Sequence, residues 1–259
     1  MNPYALPRFS LRFWPVWRRN FLVWRKLAIP SLLGNLADPM LYMLGLGYGL
    51  GALLPRIDGV PYLHFLAAGT LCYSTMNSAT FEALYSAFSR MQVQRSWDAI
   101  LNAAMDLDDV LMGEWLWAAS KSLLSGAAIL VVVLLLGLAD PLTALWLLPL
   151  ALLVGLTFSA LGLAVTAVSP SYDFFMYYFS LVISPMVLLC GVFYPTNQLP
   201  GWLQVVSGAL PLTQAIDIAR PLLLGQPLVD PAGKIALMAA YAAVGYYLAV
   251  VLARRRLLR

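Results

Sequence analysis

The stretch AAILVVVLLLGLADPLTALWLLPLALLVGLTFSALGL, residues 127–163, carries a single charge, Asp140, with Pro141 directly after it. An α-helix rises 1.5 Å per residue, so crossing a hydrocarbon layer of roughly 30 Å takes about 20 apolar residues. Residues 127–138 and 142–163 are therefore the charge-free parts of two consecutive spans. Applied outward, the same ruler gives spans at about 27–50, 62–87, 113–137, 142–168, 174–194 and 232–253. Composition agrees. The chain has 259 residues, of which 61% are hydrophobic and 11% charged, against about 25% charged in a soluble domain. So little charge cannot cover a globule, and much of the apolar surface must face lipid.

The second span is the most polar. Thr70, Ser74, Thr75, Asn77, Ser78, Thr80 and Glu82 lie on it, and lipid does not tolerate such a face. It is either a loop or, as its length and apolar flanks favour, a helix shielded by protein. Orientation follows from Lys and Arg near the span ends. Arg8, Arg12, Arg18, Arg19, Arg25, Lys26, Arg90, Arg95, Arg254, Arg255, Arg256 and Arg259 share one side of a six-span chain, against Arg56, Arg220 and Lys234 on the other. Both termini are thereby expected in the cytoplasm. Lys121, inside the third span, is expected to snorkel or to meet Glu114. The first 26 residues are basic and aromatic, unlike a cleaved signal peptide.

Three segments do not span. In residues 1–26, Trp17, Phe21 and Trp24 fall on one helical stripe beside Arg18, Arg19 and Arg25, the pattern of a helix lying on the inner leaflet. In residues 90–112, Met91, Trp97, Ile100, Leu101 and Met105 share roughly one helical face. That predicts an amphipathic cytoplasmic helix with an exposed Trp, either docking another protein or lying on lipid. Residues 195–231 are interrupted by Pro and Gly, and Trp202–Leu210 and Leu212–Arg220 are too short to cross. They read as a broken helical hairpin on the outer side, where Asp217 and Arg220 at i, i+3 can pair.

The catalytic signals are sparse. Gly233-Lys234 is followed by Ile235 and lacks the phosphate-loop glycine, so no nucleotide motif is present. Gly45, Gly47, Gly49 and Gly51 end an apolar span, where close helix packing is their natural role. Cys72 and Cys190 sit in apolar runs without zinc or disulfide spacing. His64 is the sole histidine, which leaves no multi-histidine metal site. Basic residues gather at the termini, without a nucleic-acid footprint. Asp38 and Glu82 are ionisable groups within spans. They serve either as structural hydrogen-bond partners or as functional groups, and the hydroxyl- and amide-rich face of span two, with Thr75, Asn77, Ser78 and Thr80, is the candidate path or subunit seam. Tyr178 belongs to an aromatic cluster opening span five, read chiefly as an interfacial belt, and joins Asp38 and Glu82 among the candidates for the path or seam.

Three stretches taken in order carry a resemblance: NLADPMLYMLGLGYGLG (35–51); FEALY (81–85) running into WDAIL (97–101) and MDLDDV (105–110); and GVFYP (191–195) running into PLTQAIDIAR (211–220). Together they resemble the ABC-2 type exporter permeases, within them the nodulation-type lipo-oligosaccharide exporters, over about residues 20–255. The resemblance implies an all-α polytopic transmembrane subunit of the bacterial inner membrane, with the transmembrane domain at 27–256. It implies a homodimer carrying two copies of a separate ATP-binding subunit, which holds the ATP and Mg, so this chain needs no cofactor of its own. It makes 91–105 the coupling helix, with Met91, Trp97, Asp98, Ile100, Leu101 and Met105 as docking residues. Trp17, Phe21 and Trp24 would mark the interfacial helix, and Asp217 and Arg220 the extracytoplasmic gate. The expected cargo is a lipo-oligosaccharide, polysaccharide or similar amphiphile. The alternatives are a drug exporter of the same family, or a membrane enzyme acting on lipid through His64 or Glu82.

Overall fold

A computed structural model describes residues 3–54, 56–57, 59–103 and 105–258, so Arg259 lies outside the described residues. The chain is mostly helical. Helix α1 (Phe13–Arg25) meets α2 (Ala28–Leu53) at a bend of 81°. A minimal antiparallel pair, β1 (Arg56–Ile57) and β2 (Val60–Pro61), leads into α3 (Tyr62–Phe81). Helix α3 runs on through π-helical turns at Glu82–Ser86 and Ser89–Val93, and then come α4 (Ser96–Asn102) and α5 (Leu107–Leu135). Asp140 caps the short α6 (Pro141–Ala144) through the Thr143 N–H, and α7 (Leu147–Val168) continues it. After α8 (Asp173–Tyr178) and α9 (Ser184–Leu189) come α10 (Gly201–Ala209), α11 (Pro211–Leu224) and α12 (Pro231–Leu257).

Among the described residues, three helices are long and apolar enough to cross a membrane: Leu107–Leu135, Pro141–Val168 and Pro231–Leu257. The bent pair α1–α2 passes the same test of length and composition only when its two helices are taken together. Asp173–Leu189 is apolar but shorter; it ends where Gly191 takes a φ of 74°, short of the expected 194. Helix α3 is held below that standard by its hydroxyl and amide side chains. It is the shielded helix rather than a loop: Thr70, Thr75 and Thr80 are fully buried, and α2, α5, α7 and α11 pack around it.

Close packing rests on small residues. A Cβ on Gly69 would lie 2.5 Å from the Val192 carbonyl oxygen, and one on Gly155 would lie 2.5 Å from the Ser122 hydroxyl. Those positions let α3 touch the 191–195 turn, and α7 touch α5, at backbone distance. Gly47, in the glycine cluster, packs on Leu63 of α3. Pro39 has no N–H for the Asn35 carbonyl, and the Ser74 hydroxyl donates to that oxygen instead at 3.3 Å. At the end of α7, Arg256 Nη1 donates to the carbonyls of Thr166, Ala167 and Ser169 at 3.3, 3.2 and 2.7 Å, which satisfies the helix terminus with a cation.

Three expectations are corrected. Residues 91–105 are not one amphipathic helix: Arg95 adopts a φ of 50° and separates the continuation of α3 from the seven-residue α4. Helix α11 does not stop near Arg220 but carries Pro221 internally and ends at Gly225 in the left-handed conformation. Lys121 bonds Glu82, Nζ to Oε2 at 2.8 Å, because Arg90 occupies Glu114.

Candidate functional site

Where α1, the continuation of α3, α4 and α5 converge, charged groups that could not be left unpaired in an apolar bundle find one another. Glu114 on α5 is the centre and is 1% exposed. Arg90 donates to it through Nε at 2.9 Å and Nη2 at 2.5 Å, and Nη2 also reaches Glu82 at 2.9 Å. The indole of Trp97 on α4 donates to Glu114 at 3.1 Å, and Asn20 on α1 donates to it at 3.0 Å. Arg19 stands 3.6 Å away. Glu82 is held by Lys121 and by the Trp117 indole at 2.9 Å. Burial alone would lower the pKa of Arg90. Glu114 and Glu82 beside it reverse that and raise it above the ordinary value, so the guanidinium stays charged.

The aromatic stripe of α1 faces this centre. Trp17, Phe21 and Trp24 surround the Trp117 ring at 6.2, 6.3 and 5.9 Å, and Trp17 donates to the Ser120 hydroxyl at 3.0 Å. The side of α1 left exposed carries Trp14, Leu22 and Val23 instead. A second clamp lies alongside. Arg254 of α12 bonds Asp108 through Nε at 2.9 Å, and Asp108 also accepts the Arg8 N–H at 2.9 Å. The N-terminal segment is thereby strapped across α5 and α12.

Of the expected docking residues, Trp97 and Met91 are buried at 1% and 4%. The expected exposed Trp is thus corrected: its ring fills the core and its N–H belongs to Glu114. Ile100, Leu101 and Met105 are half-buried, whereas Asp98 is exposed. The surface around α4 is completed by Val93, 64% exposed, and by Arg95 and Ala99. Period alone did not separate these from the buried face, because the break at Arg95 resets it.

The polar residues of α3 divide between two faces. Thr75 and Thr80 point into the bundle, where Thr75 donates to the Leu71 carbonyl at 2.7 Å. Asn77 lines a cleft of about 460 Å³ between α2, α3 and α8–α9, with Asp38, Tyr42, Tyr73, Phe81, Phe179 and Ser184. Ser78 lines an adjoining recess with Asn35, Asp38, Asn77 and Lys121. Tyr178 is half-buried and meets the Phe179 ring edge-on. Nearby, Phe175 is buried and Tyr172 packs with it against Tyr85 and Phe88.

On the remaining side of the molecule, Asp217 lies 3.9 Å from Lys234. Arg220 donates to the Gly191 carbonyl at 2.8 Å and lies over the Phe65 ring at 3.7 Å. His64 lines a separate cavity with Gly137, Asp140 and Leu223, and among the described residues lining it there is no serine, threonine or cysteine.

The family model described as ABC-2 type transporter matches residues 12–224. The chain is similar to nodulation protein J of Rhizobium meliloti (strain 1021), 46% identical over 254 residues that cover 98% of this chain and 97% of the relative. It is likewise similar to nodulation protein J of Rhizobium leguminosarum bv. viciae, 46% identical with full coverage of both chains. The protein of that name from Azorhizobium caulinodans is 35% identical, over 79% of this chain and 81% of its own.

Proposed function

The chain belongs to the ABC-2 type transporter family, and on that premise we propose that it is the membrane-spanning permease subunit of an ATP-driven exporter. It crosses the inner membrane six times with both termini in the cytoplasm, forms a homodimer and binds two copies of a separate ATP-binding subunit that carries ATP and Mg. Residues 1–26 form the cytoplasmic arm and 27–256 the transmembrane domain. As the resemblance of its sequence motifs implies, its cargo is a lipo-oligosaccharide, polysaccharide or similar amphiphile.

The observation that carries this reading is the buried ion cluster. It fixes α1, α4, α3 and α5 to one another through Glu114, Arg90, Glu82 and Trp97. A push on α4 from below is passed from Trp97 to Glu114 on α5 and on through Arg90 to Glu82, at the end of the helix that lines the cleft. Closure of an ATP-binding dimer against α4 then tilts α3 against α2 and opens the path along Asp38 and Asn77, with Asp217 and Arg220 near its exit. The docking surface is the exposed side of that turn, Val93, Asp98 and Ala99, with Ile100, Leu101 and Met105 at its edge, while Trp97 and Met91 anchor it from within.

The test is a paired substitution, Val93→Asp with Asp98→Lys, in the full chain co-expressed with its ATP-binding subunit. The expected result is a chain that still inserts and elutes as before, with loss of the co-purified subunit and of ATP-dependent export. Unchanged co-purification and export would remove α4 from the interface.

A further inference from the structure

We infer that Asp38 sets the charge selectivity of the cleft, admitting amphiphiles whose head groups are neutral or cationic hydrogen-bond donors and turning away anionic ones. The inference rests on the cleft being the translocation path. Asp38 lies in the middle part of α2, exposed at the cleft wall, and no ion pair holds it among the described residues. A carboxylate at that depth is not tolerated against lipid, so the face it occupies is wet or is filled by a polar ligand.

The surroundings fix the sign of the field. Among the described residues, none that lines the cleft is basic. The one cation bordering the adjoining recess, Lys121, is already bonded to Glu82 at 2.8 Å. Tyr42, Tyr73, Asn77 and Ser184 add dipoles that can turn either way, and Phe81 and Phe179 supply apolar walls. The formal charge presented to a ligand by the described residues lining the cleft is therefore that of Asp38. An ionised carboxylate accepts hydrogen bonds and cannot donate them. It pairs with hydroxyl, amide N–H or ammonium groups, and a ligand phosphate, sulfate or carboxylate would meet it as a like charge.

The experiment uses the full chain in lipid nanodiscs and three probes of equal chain length: dodecyl glucoside, its 2-amino-2-deoxy analogue and dodecyl glucuronide. Each competes against a fluorescent dodecyl glucoside. The wild type is expected to hold the glucuronide about tenfold more weakly than the glucoside, with the amino probe at least as tight as the glucoside. Asp38→Asn should bring the three within about twofold, and Asp38→Lys should favour the glucuronide. Asn77→Trp, which fills the cleft, should weaken all three together. If Asn77→Trp blocks the probes but Asp38→Asn leaves the discrimination intact, the selectivity assignment is overturned and the path stands. If Asn77→Trp leaves all three bound as before, the cleft is not the path, and both fall.

Discussion

Replacing Glu114 by Ala removes the acceptor shared by Arg90, Trp97 and Asn20. Arg90 keeps Glu82 at 2.9 Å, so its charge is half-compensated, and the loss sits at the low end of the about 3–5 kcal/mol that follows from breaking a buried pair. The Trp97 and Asn20 N–H groups lose their partner in buried surroundings, adding about 1 kcal/mol each. The expected total is about 5 kcal/mol. Replacing Arg90 by Met costs about 3 kcal/mol, because Glu114 retains Trp97, Asn20 and the more distant Arg19, and Glu82 retains Lys121 and Trp117. The double substitution Glu114→Ala with Arg90→Met removes both charges together. It should cost at least 2 kcal/mol less than the two single substitutions added, since neither ion is stranded. Unfolding in mixed micelles by sodium dodecyl sulfate, followed through tryptophan fluorescence, reads all of these. Single substitutions within about 0.5 kcal/mol of the wild type, or strict additivity in the double, would show that the cluster is solvated and does not tie the helices together.

Three further outcomes follow from the geometry. Cysteine at Asn77 should react with an aqueous thiosulfonate while cysteine at Thr75 or Thr80 should not; equal reactivity at the three would mean that α3 is rotated relative to the cleft. Asp108→Asn should loosen the N-terminal strap held by Arg254 and Arg8, so trypsin should cut after Arg8 or Arg12 several-fold faster, and an unchanged rate would show the strap is held elsewhere. The side-chain and backbone bonds from Thr143 hold the Asp140 carboxyl below its ordinary pKa. A lowered folded-state value means stability that is present above about pH 4 and lost as pH falls through that value. The melting-temperature gap between wild type and Asp140→Asn should thus be steady from neutral pH to about 5 and close in stronger acid; a gap that widens on acidification would reverse the sign.

The helices were legible in the sequence wherever lipid dictates them. Residues 127–163 and 232–253 have no charge budget for any other environment, and the helices at Leu107–Leu135, Pro141–Val168 and Pro231–Leu257 follow from that. The shielding of α3 was legible for the converse reason, since Thr70, Asn77 and Glu82 need partners. What escaped was pairing across elements. Glu114 and Lys121 share a helix, and spacing placed them together, whereas Arg90 and Glu82 come from a segment whose path back to α5 depends on the left-handed turn at Arg95. Nothing in the pattern of Met91, Trp97, Ile100, Leu101 and Met105 marked that turn, so one helical face was drawn through two pieces and Trp97 was placed on the wrong side. The distinction between Asn77 and Thr75 likewise depends on which neighbour covers each face of α3. Helical period reveals the faces but not what stands against them.

The most direct measurement is the sidedness of the α4 turn. A single cysteine at Asp98, in a chain otherwise free of Cys72 and Cys190, is exposed to a membrane-impermeant maleimide in right-side-out and in inverted vesicles. Labelling only in inverted vesicles, with protection when the ATP-binding subunit is added, is the predicted result. Labelling from the outside, or no protection by that subunit, would contradict the account.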